Sequence, residues 1–434
     1  MDRFFHSVTL DSDKCVGCTN CIKRCPTEAI RVRNGKAHII SERCIDCGEC
    51  IRVCPHHAKK ANSDPLESIG AFEYKIALPA PSLYGQFNNL DDIDIVLTGL
   101  RGLGFDEVFE VSRAAELVSE ATRRILAQDI IPRPIISSAC PAVVRLIRVR
   151  FPDLCDHVLP MKAPMEVAAS IAKREAARRT GLPEEKIGAF FLTPCPAKVT
   201  DIRVPIGPEK SAADGAIAIS TIFTRLTSQM EKVTQPEPLS KSGIIGVSWA
   251  SSGGESAALL DEKYLAADGI ENVIRILESL EDERIRDLDF IELNACSGGC
   301  VGGVLCVENG YVAKARLQTL RRYLPVAQNH LHGEIPSLMK WDENLEFAPV
   351  LKLSDDLGEA MRMMSEIDQI ESGLPGLDCG SCGAPTCRAF AEDVVRGLSR
   401  KSGCIFVMKE QIQSMAATLS SFADPEGTEQ EENQ

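Results

Sequence analysis

Two stretches near the start of the chain, CVGCTNCIKRCP (15–26) and CIDCGECIRVCP (44–55), repeat the pattern C-x2-C-x2-C-x3-C-P. No other feature constrains the fold as strongly. Three thiolates on a tight loop grip one iron–sulfur cube, and the fourth cysteine of each motif crosses to the neighbouring cube. The expected 4Fe–4S ligand sets are therefore Cys15, Cys18, Cys21 and Cys54 for one cluster, and Cys44, Cys47, Cys50 and Cys25 for the other. Two complete copies, each closed by proline, argue against zinc. His56 and His57 follow the second motif and read as exposed turn residues, because both ligand sets are complete without them.

Residues 1–64 thus read as a two-cluster ferredoxin module. The polar stretch ANSDPLESIG (61–70) reads as a hinge after it, with Pro65 and Gly70 as breakers. The chain has 434 residues, enough for two or three domains, and carries 18 cysteines. No apolar run reaches the roughly 18 residues of a membrane span, and MDRFFHSVTLDSDKC is not a signal peptide. The expected compartment is the cytoplasm, where cysteines serve metals more often than disulfides. With 48 Lys and Arg against 62 Asp and Glu, the net charge is −14, which argues against nucleic acid as a partner.

A second cysteine group, CGSCGAPTC followed by Cys404, offers Cys379, Cys382, Cys387 and Cys404. Glycines after the first two cysteines let backbone amides turn toward cluster sulfurs. The group resembles the small 4Fe–4S domain of electron-transfer and corrinoid iron–sulfur proteins, and a further 4Fe–4S cluster is expected. Residues 336–424 read as a helical region plus this domain, and 425–434 as an acidic disordered tail.

Between them, residues 70–335 alternate apolar strands with helical patterns, an α/β arrangement whose sites gather at strand C-termini. YKIALPAP (74–81), RPIISSACP (133–141), IGAFFLTPCP (187–196), SGIIGVSWASSGG (242–254) and DLDFIELNACSGG (287–299) each read as strand then loop. Three of the loops carry SSACPAV (137–143), TPCPAKVTD (193–201) and NACSGGCVGG (294–303). Cys140, Cys195, Cys296 and Cys300 would hold one more cubane, ligated from dispersed loops. Cys155 and Cys306 have no partner motif and read as buried small side chains.

These three ordered motifs, placed after a ferredoxin module, resemble the three signatures of the iron-only (di-iron) hydrogenases. APSLYGQF (80–87) and SWASSGGESAA resemble further family segments, and the resemblance covers about residues 1–310. It implies a two-lobed central domain with an H-cluster between the lobes: a cubane joined to a di-iron unit bearing CO, cyanide and a bridging dithiolate. Carried over, Cys140, Cys195 and Cys296 bind the cubane, Cys300 bridges to the di-iron unit, and Lys198 hydrogen-bonds a cyanide. The implied reaction is reversible H2 oxidation and proton reduction. Hydrogenase maturation proteins, H2, protons and a redox or signalling protein are the implied partners.

The departures temper this. Ala139 stands where active members carry a proton-passing cysteine, and alanine holds no proton. Thr193 and Asn294 replace methionines and Asp201 replaces glutamate. The relay carboxylates look absent from AAELVSEATRRILAQ (114–128), although Glu116 and Glu120 lie near. The expectation is slow turnover, resembling the sensory branch of the family. Members of one such group add a PAS domain, whereas this chain ends about 30 residues after Cys404. VMKEQIQSMAATLSSF (407–422) spaces Ile412, Met415, Leu419 and Phe422 in a heptad-like way. It reads as a short helix on its own domain, with a homodimer or partner helix as the sharper reading. The alternatives are a working hydrogenase subunit coupled to a soluble redox partner, and a non-catalytic iron–sulfur carrier without the di-iron unit.

Overall fold

The computed structural model describes residues 5–423; the expected acidic tail lies outside the described residues. In the N-terminal module each cysteine loop opens a one-turn helix, Asn20–Lys23 or Glu49–Arg52. Two antiparallel strand pairs, Val8–Leu10 with Lys59–Ala61 and Ile30–Arg33 with Lys36–Ile39, brace the loops.

The central region is α/β in two lobes, each built on a parallel sheet. One sheet runs in the order Glu107–Val108, Tyr74–Pro79, Ile187–Thr193, Gly215–Ala218. The other runs in the order Tyr264–Asp268, Phe290–Asn294, Ile135–Ile136. Ile187–Thr193 is buried along its whole length, as expected for a central strand covered on both faces. Each sheet delivers a Cys-Pro turn at a strand end. Cys140 caps the helix Pro141–Arg150 and Cys195 caps the helix Pro196–Arg203, with proline at the first helical position in both.

Two sequence expectations are corrected here. SGIIGVSWASSGG is not a strand: Ile244–Ser248 forms a helical turn and Gly254–Ala257 a second. A short buried apolar run satisfies either periodicity, and here packing decided. Gly246 lies so close to the helix Val111–Leu126 that a Cβ would sit 2.1 Å from the Ser112 carbonyl oxygen. Trp249 Nε1 donates to Ser119 Oγ on that helix at 2.9 Å. The polar stretch 61–70 is likewise no loose hinge, because Asp64 exchanges backbone and side-chain bonds with Ala216 and pairs with Arg203.

At the C-terminal end, helices Leu357–Ser372 and Cys387–Val395 pack through Ile367, Ile370 and Ala391. This unit docks on the ferredoxin-like module. Arg31 Nε donates to Asp393 Oδ2 at 2.8 Å with both side chains buried, Arg33 joins the same carboxylate, and Arg43 pairs with Glu392 at 2.6 Å. The last helix, Ile405–Ala423, does not lie on its own domain as expected. Ile412, Met415 and Leu419 are all exposed, since the helix runs past the small core that holds Phe390 and Cys404. The side chain of Phe422 lies outside the described residues.

Candidate active site

Three cysteine-lined hollows have the compositions expected from the spacing. Cys15, Cys18, Cys21 and Cys54 face one, Cys25, Cys44, Cys47 and Cys50 a second, and Cys379, Cys382, Cys387 and Cys404 a third. His56 and His57 are both exposed, as expected, and His56 borders the first hollow. The buried ammonium of Lys59 faces the first hollow and has no hydrogen-bond partner among the described residues. Its charge favours the thiolates of Cys21 and Cys50 against their burial.

The hollows form a series. The Val32 N–H donates to the Gly383 carbonyl at 2.8 Å, tying the strand beside the first hollow to the loop of the third. Gly48, in the second hollow, packs on Val304 and Pro196, next to Cys195. The Arg52 guanidinium donates to the Gly302 carbonyl at 2.8 Å across the same seam.

Cys140, Cys195, Cys296 and Cys300 come from both lobes to one place. Burial pushes the Cys195 thiol up to about 11, and each of Cys296 and Cys300 is raised first by burial and then by the other cysteines of the set. Thiolates buried together in this way cannot remain charged without a cation, which an iron–sulfur cube supplies. The helices after Cys140 and Cys195 present their N-terminal amide dipoles to the same place. The CSGGC loop needs its glycines there. A Cβ on Gly299 (φ +90°) would lie 2.4 Å from the Ser252 nitrogen, and one on Gly303 2.2 Å from the Pro194 carbonyl.

Beside Cys300 lies a cavity of about 70 Å³ lined by Ala139, Lys198, Ser82, Met165, Glu255 and Glu292 among others. The Lys198 ammonium is nearly buried and donates to the Ala139 carbonyl at 2.9 Å. The Ser82 hydroxyl is fully buried and unpartnered. An orphaned hydroxyl and an ammonium facing a cavity next to Cys300 fit an anionic di-iron unit with polar ligands.

The substituted motif positions have local roles. Thr193 Oγ1 accepts from the Cys195 N–H and donates to the Cys195 carbonyl, both at 3.1 Å, so it clamps the turn. Asn294 Nδ2 donates to Glu292 at 2.8 Å. Asp201 is buried 3.5 Å from Arg145. Glu116 and Glu120 do not serve the cavity. Glu116 accepts from the N–H groups of Gly243, Gln328 and Asn329, and Glu120 accepts from Leu331 while pairing with Arg124. Both pin loops. Cys155 is buried in an apolar cluster, and Cys306 sits half-buried with Sγ 3.7 Å from the Cys300 carbonyl.

Sequence reasoning missed Glu255 and Glu292. Ser137 Oγ donates to Glu255 at 2.7 Å and accepts from the Ala139 N–H at 3.1 Å. Glu292 accepts from the N–H groups of Gly253 and Ser256, at 3.0 and 2.9 Å. Burial first, and the Glu292 charge second, push Glu255 up to about 8; burial also raises Glu292. The available signal was an acid inside the apolar strand FIELN, where unpaired charge is costly.

Residues 73–304 match the family described as iron only hydrogenase large subunit, C-terminal domain. Residues 7–55 match a 4Fe-4S dicluster domain and 374–406 an Fe-S cluster family. The NADP-reducing hydrogenase subunit HndD of Solidesulfovibrio fructosivorans is 27% identical over 47% of this chain and 44% of its own length. The periplasmic [Fe] hydrogenase large subunit of Nitratidesulfovibrio vulgaris is 25% identical over 73% of this chain and 90% of its own. A shorter stretch, 25% of the chain, is 24% identical to 18% of the cytosolic Fe-S cluster assembly factor nar1 of Aspergillus flavus. A solved variant of the [FeFe]-hydrogenase HydA1 from Chlamydomonas reinhardtii shares the fold, with a TM-score of 0.51 at 15% identity over 67% of this chain and 97% of that one. The chain belongs to the iron-only hydrogenase family.

Proposed function

We propose that this chain is a low-turnover iron-only hydrogenase that senses H2 or redox state. The observation that carries the reading is the cavity beside Cys300, faced by Lys198 and an unpartnered Ser82 hydroxyl. A plain electron carrier has no use for it. Cys140, Cys195, Cys296 and Cys300 would hold the cubane of the H-cluster, with Cys300 bridging and Lys198 holding a cyanide. When bound, the di-iron unit supplies the chemistry of H2 cleavage and formation.

The chain's own residues govern protons and electrons around it. Ala139 holds no proton at the cavity wall. Glu255, which also lines the cavity and is kept neutral by burial, holds one there, hydrogen-bonded to Ser137. Slow turnover follows from the absence of a thiol at position 139, which leaves this buried, hydrogen-bonded acid as the proton holder at the cavity. Electrons would pass to the ferredoxin-type clusters at Cys15/18/21/54 and Cys25/44/47/50, and on to the cluster at Cys379/382/387/404. A redox or signalling protein, reached in the cytoplasm, would receive them, with the exposed stripe on Ile405–Ala423 suited to a partner helix or a second copy. No described helix is long and apolar enough to cross a membrane.

The experiment is infrared spectroscopy of protein matured with hydrogenase maturation enzymes, followed by H2 assays. CO and cyanide bands with slow turnover are the expected result. Their absence would leave a non-catalytic iron–sulfur protein, the role suggested by the short match to the assembly factor. Fast turnover with a soluble acceptor would make it a metabolic subunit.

A further inference from the structure

The largest cavity described in the protein lies outside the cluster sites. It is an open pocket of about 830 Å³ between the Ile244–Ala258 segment and the helix Gly310–Leu320. Its composition is unusual for this chain. Not one acidic residue lines it, although the chain carries 62 of them and a net charge of −14. Two cations do: Lys314, and Arg321 just past the helix end, both half-buried. Neither side chain has a hydrogen-bond or ion-pair partner among the described residues, whereas most arginines here are paired. Ser251 and Ser252 also line the pocket, their hydroxyls without hydrogen-bond partners among the described residues, and Gln318 lines it from an exposed position. Ile244, Val247 and Leu317 supply an apolar wall.

Two unneutralised, partly desolvated cations lining one pocket with two serines form an electrostatic focus for a compact anion. We propose that this pocket binds a phosphate-bearing small molecule. Arg321 and Lys314 would take the phosphate oxygens, the serine hydroxyls would complete the cradle, and the apolar wall would take any organic portion. The pocket's enclosed space, about 310 Å³, falls at the lower end of the usual range of small-molecule sites, about 300–1,000 Å³.

The location gives the site reach. The Ser252 N–H donates to the Gly298 carbonyl at 3.0 Å, inside the Cys296–Cys300 loop. The Gly253 N–H holds Glu292 at 3.0 Å, and the Val301 N–H donates to the Ala250 carbonyl at 2.9 Å. One face of the serine–glycine loop thus lines the phosphate pocket and the other supports the active site.

The test is calorimetric titration of the full, cluster-loaded chain at low ionic strength with AMP, ATP and inorganic phosphate as separate probes. Saturable binding of at least one probe is expected, weakened about tenfold or more by Lys314→Ala and by Arg321→Ala. Cluster absorbance and melting temperature report whether each variant is folded. Should either fail to fold, Gln318→Glu, at an exposed position, places a carboxylate at the rim and is expected to weaken binding as well. AMP or ATP binding more tightly than inorganic phosphate identifies a phosphorylated metabolite; equal binding identifies free phosphate. Absence of saturable heat with all three probes, or binding unchanged in the folded variants, overturns the proposal.

Discussion

The Lys198 ammonium donates to the carbonyl oxygen of Ala139 at 2.9 Å. One bond thus joins the two residues on which the proposed hydrogenase reading turns, the motif lysine and the alanine beside Cys140. Lys198 comes from the Cys195 lobe and Ala139 from the Cys140 lobe, so the bond also closes the interlobe seam at the cavity. Ala139 is further fixed by its N–H, which donates to Ser137.

Restoring the thiol should not restore the rate. In Ala139→Cys the new side chain would face the cavity, but the carboxylates of the helix Val111–Leu126 point to loops and not to it. Turnover of the matured variant is expected to rise less than tenfold. A gain of about 10²-fold or more, the span of a positioned general acid, would show that the remaining path is intact.

Glu255→Gln tests the buried acid. Its folded-state pKa, about 8, lies above the ordinary 4.5, so the native state holds this proton more tightly than the unfolded chain. That contribution to stability is complete below about pH 4.5 and is lost as pH rises through about 8. The wild-type melting temperature should therefore fall over this window, and the variant's fall should be shallower. H2 turnover should drop by about 10² if Glu255 is the proton holder; an unchanged rate would remove it from the path.

Asp393→Asn tests the docking of the C-terminal cluster unit. Removing one partner of a buried pair strands the other charge, here Arg31, at a cost of about 3–5 kcal/mol. The expected outcome is earlier melting and faster proteolysis of residues beyond 350, with the spectroscopic signals of the N-terminal clusters retained.

Lys59→Met removes a buried, unpaired ammonium beside the Cys15/18/21/54 hollow. A positive charge favours the reduced, more negative cluster, so its loss should lower the reduction potential. The shift expected in redox-poised EPR titrations is on the order of 60 mV, a tenfold change for one electron. A potential that does not move would place the charge too far from the cluster to act.

The sequence by itself determined which cysteines gather around each hollow in the N- and C-terminal units, because most of them lie on one short loop whose spacing fixes its geometry. It also determined that Cys140 and Cys195 end strands and start helices, since proline at the first helical turn leaves few alternatives. Only the tertiary structure decided what surrounds the central four cysteines. Ser82, Lys198, Glu255 and Glu292 lie on separate elements, and no spacing rule connects them. SGIIGVS became helical because it packs on the helix Val111–Leu126, a contact no local pattern encodes. Glu116 is a loop anchor and Glu255 a buried acid for the same reason. A carboxylate's role depends on which donors and charges the fold brings within reach, and those come from residues more than a hundred positions away.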